Sequence, residues 1–438
     1  MNTRPLVPLP IPANTTVADL YPQLEQALRG EASLLPLPAK DPDRATLLRD
    51  VMRAGEPIDA TIAFILSTSG STGVPKGAQL SATALAASAS ATEKVLGGPG
   101  QWLLALPPDH VAGLQVLLRS LAAGYEPVLM DVTQPFTPGA LVDAIHRMTG
   151  PRRYCSLVPT QIRRLIQATD TEGSTGGTRS TGGTGSADST GGYSPATIIE
   201  AVGSLDGILV GGAPLSPALR KKCADMGWTI VTTYGSSETA GGMVYDGTPL
   251  PGTSVKIQPL GTGDEGRVLL GGPTLATGYR NAEGLFGPSV HAASSDERKG
   301  TANPFIDGWF VTDDIGTIRN GKLEILGRYD QAINTGGLKI LPEIVESAAR
   351  RAGYADCAVL GIPSAEWGES VCLVIERARE STPYFLDREG MQHIREQLDL
   401  PSYALPTSIA IVGQIPLRGP GKTDRHALRH ILTAAQHR

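Results

Sequence analysis

TIAFILSTSGSTGVPKGAQLS, residues 61–81, decides how this chain is read. It begins with an unbroken apolar run, the pattern of a strand buried on both faces. A run of hydroxyls and glycines follows, then a single lysine, Lys76. Phosphate binding needs converging backbone N–H groups, extra hydroxyl donors and a cation. Gly70, Gly73 and Gly77 give the backbone freedom to approach closely, Thr68, Ser69, Ser71 and Thr72 give hydroxyls, and Lys76 gives the charge. A loop at the end of a parallel strand is also where α/β sheets place ligands. The bland alternative is a solvated loop, and the strand before it and the lysine within it favour phosphate.

This is not a Walker A loop, which needs Gly just before the lysine and Ser/Thr just after; Lys76 lies between Pro75 and Gly77. The later PLRGPGKTDR ends like a Walker A motif, but Pro416 occupies the position of its first glycine.

Around this stretch the chain has the composition of a large globular protein, with 438 residues, 41% hydrophobic and 18% charged. A net charge of −5 gives no footing for nucleic acid or an anionic membrane surface. The four cysteines form no CxxC pair and no Cys/His cluster, so free buried thiols in a reducing compartment are expected. The proline-broken N-terminus lacks a leader's apolar segment, and no apolar run approaches a membrane span. A soluble cytoplasmic protein is expected, with a homo-oligomer left open.

From residue 60 onward short apolar runs (WLLALP, EPVLMD, YCSLVP, GILVGG, TIVTTYG) alternate with capped helical segments. One helix is expected to start at Thr137-Pro138 and stop at Gly150, another to start at Ser216-Pro217 and stop at Gly227. The fold class is α/β: a large N-terminal domain of mostly parallel sheets with helices plus a small β section after residue 248, and a small mobile α+β C-terminal domain. Asn320-Gly321 signals a type I′ hairpin. The expected division is 1–327 and 328–438. Residues 170–195, rich in Gly, Ser and Thr without one Leu, Ile, Val or Phe, read as a disordered surface insertion.

With these residues in hand, STSGSTGVPKGAQLS resembles the phosphate signature of the adenylate-forming superfamily of acyl-CoA ligases, luciferases and adenylation domains. Its other signatures recur here in the family's order, over residues 60–430. The resemblance implies ATP, Mg²⁺ and CoA, with a small-molecule carboxylate as the acid. It also implies the site. GGAPLS places Gly211, Gly212 and Ala213 beside adenine. TTYGSSETAGG supplies Tyr234 against adenine, Gly235 to the nucleotide site, Thr239 near the α-phosphate, Glu238 as the Mg²⁺ carboxylate, and Ser236 and Gly241 at the acid pocket. GWFVTDDIG departs from the family pattern at Asp313, where Gly is usual, and aligns Asp314 with the ribose carboxylate. LGRYD supplies Arg328 as a second ribose contact and Asp330 as the hinge. His110 in LPPDHVAGL gates the acid pocket, and Lys422 in GPGKTDR bridges the substrate carboxylate and the α-phosphate. Arg163 and Arg164 could meet a second carboxylate or be solvated helix residues. A CoA ligase, a carrier-protein-loading enzyme and a catalytically silent nucleotide-binding relative all remain open at this point.

Overall fold

The computed structural model describes residues 2–11, 16–38, 40–68, 75–170, 190–260, 263–281, 303–364, 366–378, 380, 382–418 and 422–436. These form two compact units, Met1–Val255 with Leu270–Val311, and Lys256–Leu269 with Thr312–Arg438. The chain passes between them inside the strands Ser254–Pro259, Gly266–Gly271 and Trp309–Arg319.

The first unit is built on two sheets. One has the order Tyr279–Arg280, Lys76–Ser81, Ile62–Thr68, Ser33–Leu37, Thr3–Pro10, Pro57–Asp59. The other has the order Thr248–Pro249, Gly241–Tyr245, Ile230–Ser236, Gly207–Val210, Arg153–Leu157, Gln101–Leu104, Val128–Leu129. The first has a parallel centre and antiparallel edges; the second is parallel from Ile230–Ser236 through Val128–Leu129 and antiparallel only at its Gly241–Tyr245 and Thr248–Pro249 edge. The helices Ala82–Leu96 and Val111–Ala123 share one core with both sheets. The far face of the second sheet packs on Pro138–His146, Pro159–Thr169, Pro195–Gly203 and Pro217–Asp225, and that of the first on Pro42–Val51.

Element starts follow their caps. Thr137 accepts from Ala140 N at 3.2 Å, and Ser216 from Leu219 N at 3.2 Å. The first of these helices ends at His146, short of Gly150. The reason is a neighbour: the Gln101 amide oxygen on the adjoining strand takes the N–H groups of Thr149 and Gly150 at 2.8 and 2.9 Å. The second ends as read, with Gly227 left-handed just beyond it. Asn320 and Gly321 both have positive φ, 51° and 74°, as a type I′ turn demands. All four cysteines are free and buried. Residues 171–189 of the expected insertion lie outside the described residues. Its flanks are structured: Asp170 caps one helix and pairs with Lys222, Tyr193 donates to Asp143 at 2.7 Å, and Ser194 caps the next helix.

The second unit has a sheet ordered Leu338–Ile340, Ile333–Thr335, Gly368–Glu376, Ser408–Val412, Tyr384–Phe385, with Cys357–Ser364 pairing Gly368–Glu376. Pro342–Arg351 and Arg388–Arg395 cover one face, and Arg425–Gln436 the other. Pro342 at the first helical turn, Glu343 beside it, and Arg350 and Arg351 in the last turn suit the helix and its dipole. No helix among the described residues is long and apolar enough to cross a membrane.

Candidate active site

Lys76 opens the Lys76–Ser81 strand directly opposite Thr68, the last residue of Ile62–Thr68. The connection is therefore a return within one sheet. Ile62–Thr68 runs parallel to Ser33–Leu37 on one side and antiparallel to Lys76–Ser81 on the other. Ser69, Gly70, Ser71, Thr72 and Gly73 lie outside the described residues. Gly77 has a different job from the one expected. A Cβ there would sit 2.5 Å from Ile65 Cγ2 and 2.7 Å from Met52 Sδ, so the glycine serves core packing.

Glu238 lies in the short Ser237–Thr239 turn that follows the Ile230–Ser236 strand. Its side chain is buried, and Oε1 accepts from the Tyr279 hydroxyl at 2.7 Å. The same Tyr279 ring lies 5.4 Å from Lys76 Nζ, within cation–π range. Tyr279 thus spans the lysine strand and the carboxylate turn, and sequence reasoning missed it. Its neighbour Arg280 is buried and donates to the carbonyls of Met52, Pro57 and Arg53.

Thr239 is fully buried, and its hydroxyl donates to Gly241 O at 2.6 Å while accepting from Ser236 N at 2.9 Å. These bonds close the turn that carries Glu238. Ala240 then adopts a left-handed φ of 53°. Its carbonyl takes two buried donors, Ser88 Oγ at 3.0 Å and Gln115 Nε2 at 2.8 Å. Gln115 was also missed; its signal is an amide inside the apolar run VAGLQVLL. Among the described residues the buried Ser236 Oγ has no protein partner, an orphaned donor at the expected acid pocket. Gly235 is needed because a Cβ there would lie 2.2 Å from Gly241 O.

Gly211, Gly212 and Ala213 lie in the connection from Gly207–Val210 to Pro217–Asp225. Gly211 abuts Thr233, where a Cβ would come within 2.4 Å of Oγ1. Tyr234 sits on the neighbouring strand and is half-buried. His110 is the N-cap residue of Val111–Ala123, with Asp109 Oδ2 3.8 Å from its Nε2. Arg164 donates to Phe136 O at 3.2 Å, a helix-to-loop tie.

In the second unit, Asp314 faces Arg328 across the Trp309–Arg319 and Lys322–Arg328 hairpin. Arg328 holds Asp330 through two bonds of 2.9 and 2.8 Å and has Asp313 and Asp314 each at 3.6 Å. Burial opposes its charge, yet Asp330, then Asp314 and Asp313, raise its pKa overall. Asp313 also meets Arg267 at 3.4 Å, which distinguishes it from the less exposed Asp314. Lys422 lies in a two-stranded ladder opposite Arg418.

The donor set suits Mg²⁺, which keeps waters and takes one or two carboxylates beside phosphate oxygens. Glu238 is such a carboxylate, and the described residues contain no group of three or more acidic, His or Cys side chains that would make a protein cage for a metal.

A profile of AMP-binding enzymes matches residues 14–280, and one of the AMP-binding enzyme C-terminal domain matches residues 344–422. The chain belongs to the AMP-binding enzyme family. Among its relatives is the probable 2-succinylbenzoate–CoA ligase of Mycobacterium tuberculosis, 38% identical over 426 residues, covering 96% of this chain and 97% of that one. The 2-succinylbenzoate–CoA ligase of Listeria monocytogenes is 29% identical over 383 residues, covering 84% and 69% respectively. Among solved structures, o-succinylbenzoate CoA synthetase from Bacillus subtilis, in complex with the acyl-adenylate OSB-AMP, matches with TM-score 0.65 and 23% identity over 93% of this chain and 80% of that one. ATP-bound MatB from Rhodopseudomonas palustris matches with TM-score 0.66 and 24% identity over 97% and 83%. Identities this low establish a shared fold.

Proposed function

We propose that the chain is an ATP-dependent acid–thiol ligase. It activates 2-succinylbenzoate as an acyl-adenylate and transfers the acyl group to CoA, giving 2-succinylbenzoyl-CoA, AMP and pyrophosphate for menaquinone synthesis in the cytoplasm. The observation that carries this reading is the match of 96% of the chain to 97% of a relative named for that ligase. The stretches SLVPTQIRRLI and YGSSETAGGMVYDGTPLPG resemble those ligases as well.

In the first half-reaction a carboxylate oxygen of the acid attacks the α-phosphorus of ATP, and the bond to pyrophosphate breaks. Negative charge accumulates on the phosphorus oxygens. Lys422, Lys76 and the donors of residues 68–73 oppose it, and losing one such contact costs on the order of 10²–10³ in rate. When bound, Mg²⁺ neutralises phosphate charge, and Glu238 is the residue that would hold it. Asp314 and Arg328 take the ribose, Tyr234 and the 211–213 turn take adenine, and His110, Ser236 and Gly241 line the acid. In the second half-reaction the CoA thiol loses its proton, attacks the acyl carbon and expels AMP. The first step needs Lys422 and the second needs its place vacated. A lid of residues 328–438 hinged at Asp330 resolves that conflict.

A panel of carboxylic acids scored by pyrophosphate release, with and without CoA, tests the reading. Pyrophosphate release and thioester formation are expected with 2-succinylbenzoate, and rates lower by at least a hundredfold with benzoate, succinate or malonate. Preference for one of those acids would replace the substrate, and turnover unaffected by CoA would replace the acceptor.

A further inference from the structure

We propose that Arg425 is a positioning residue for adenylate formation: it ties the Lys422 strand to the hinge turn, so that lysine and hinge move as one body. The inference rests on the roles of Lys422 and Asp330 proposed above, and adds to them the device that couples the two.

Arg425 is the first residue of the C-terminal helix, three positions after Lys422. Its guanidinium is used on all sides. Nε donates to Val359 O at 3.1 Å, Nη1 to Gln331 Oε1 at 2.6 Å, and Nη2 to Glu346 Oε1 at 2.8 Å, with Glu343 Oε1 at 3.6 Å. Gln331 ends the Tyr329–Gln331 turn that contains Asp330. Glu346 is itself buried and fixed, accepting from Val359 N at 3.0 Å and from Arg350 at 3.0 Å. One planar fork therefore joins the hinge turn, the Pro342–Arg351 helix and the Cys357–Ser364 strand.

Little slack separates this anchor from Lys422. Thr423 pairs with Leu417 in the two-stranded ladder. Asp424 N donates to Pro416 O at 2.8 Å, while Asp424 Oδ1 caps the helix by accepting from the N–H groups of His426 and Ala427. On the hinge side, Arg328 grips Asp330 by two bonds. A buried ion-pair cluster is weak evidence of stability, since well-packed apolar residues serve as well or better. What the fork adds is a fixed distance between hinge and lysine strand. A misplacement of about 1 Å at a reacting centre costs on the order of 10²-fold.

The test measures the two half-reactions separately in the full chain: pyrophosphate release from ATP and 2-succinylbenzoate, and thioester formation from supplied acyl-adenylate and CoA. Arg425→Ala is expected to lose about 10²-fold in the first half-reaction and less than about threefold in the second. Arg425→Lys, which keeps the charge without the fork, recovers part of the loss. Gln331→Ala cuts the hinge tie alone and costs the first half-reaction about tenfold, which decides the matter if Arg425→Ala fails to fold. Equal losses in both half-reactions with a lowered melting temperature, or normal adenylation in Gln331→Ala and Arg425→Lys, overturn the proposal. Lys422→Ala is run in parallel. Retention of its adenylation overturns the lysine's role itself, a failure distinct from normal Arg425 variants beside a dead Lys422→Ala.

Discussion

Glu238 is oriented by a residue 41 positions away, since the Tyr279 hydroxyl donates to its carboxylate at 2.7 Å. A bond to a charged group contributes about 1.5–3 kcal/mol, and its loss leaves one carboxylate oxygen without its protein donor. Tyr279→Phe is expected to raise the Mg²⁺ concentration needed for ATP binding by about tenfold, while metal-free ATP binding changes little. Calorimetric titration with ATP at several Mg²⁺ concentrations reads this directly, and superimposable curves for the two proteins would remove the positioning role. The carboxylate itself was legible in TTYGSSETAGG because small and hydroxyl residues crowd around it. Its partner was not, because it reaches the site through sheet pairing, Tyr279 opposite Ala78, that no local pattern encodes. Gly77 and Thr239 also carry structural roles that local sequence does not announce: the glycine makes room for Ile65 and the hydroxyl closes a turn.

At the scale of elements, the Val111–Ala123 helix does more than present His110. Gly113 lets its first turn press on the Leu106 and Pro107 carbonyls, where a Cβ would come within 2.6 and 2.3 Å. Two residues further, Gln115 binds the Ala240 carbonyl beside the Glu238 turn. Further along, burial lowers the pKa of Arg119, opposed by Tyr245, and its guanidinium lies 5.0 Å from the centre of the Trp102 ring. His110 and the Glu238 turn thus share one rigid support. Gln115→Leu leaves the Ala240 carbonyl with Ser88 alone, and a destabilisation of about 1–2 kcal/mol is expected from the urea midpoint. A midpoint equal to that of the parent chain would mean the amide is dispensable. Caps made two helix starts legible, because Thr137 and Ser216 act within one turn. The end at His146 was not, because Gln101 on another element sets it. The strand Thr3–Pro10 was missed because its three prolines read as breakers, yet it still pairs with Ser33–Leu37 and Pro57–Asp59.

At the scale of the whole molecule, each unit has its own apolar cores, and units of this kind can unfold separately. Buried thiols in each unit oppose stability at alkaline pH. Burial raises Cys155 to about 12 and Cys223 to about 11 in the first unit, and Cys372 to about 11 in the second, from 9.0. A folded pKa above the unfolded value means that the unfolded chain releases its proton first as pH rises. The contribution is therefore complete below about pH 9 and is lost between pH 9 and the folded values, at about 1.4 kcal/mol per thiol per pH unit. Other groups titrate there too, so the decisive measurement is a difference. Denaturant unfolding of Cys155→Ala between pH 8 and 11 is expected to show a slope shallower than that of the parent chain by about one thiol's share, in the transition of the first unit alone. Equal slopes in both proteins would mean that Cys155 is solvated well enough to ionise in the folded state, against its place at the centre of the parallel sheet between Gln101–Leu104 and Gly207–Val210.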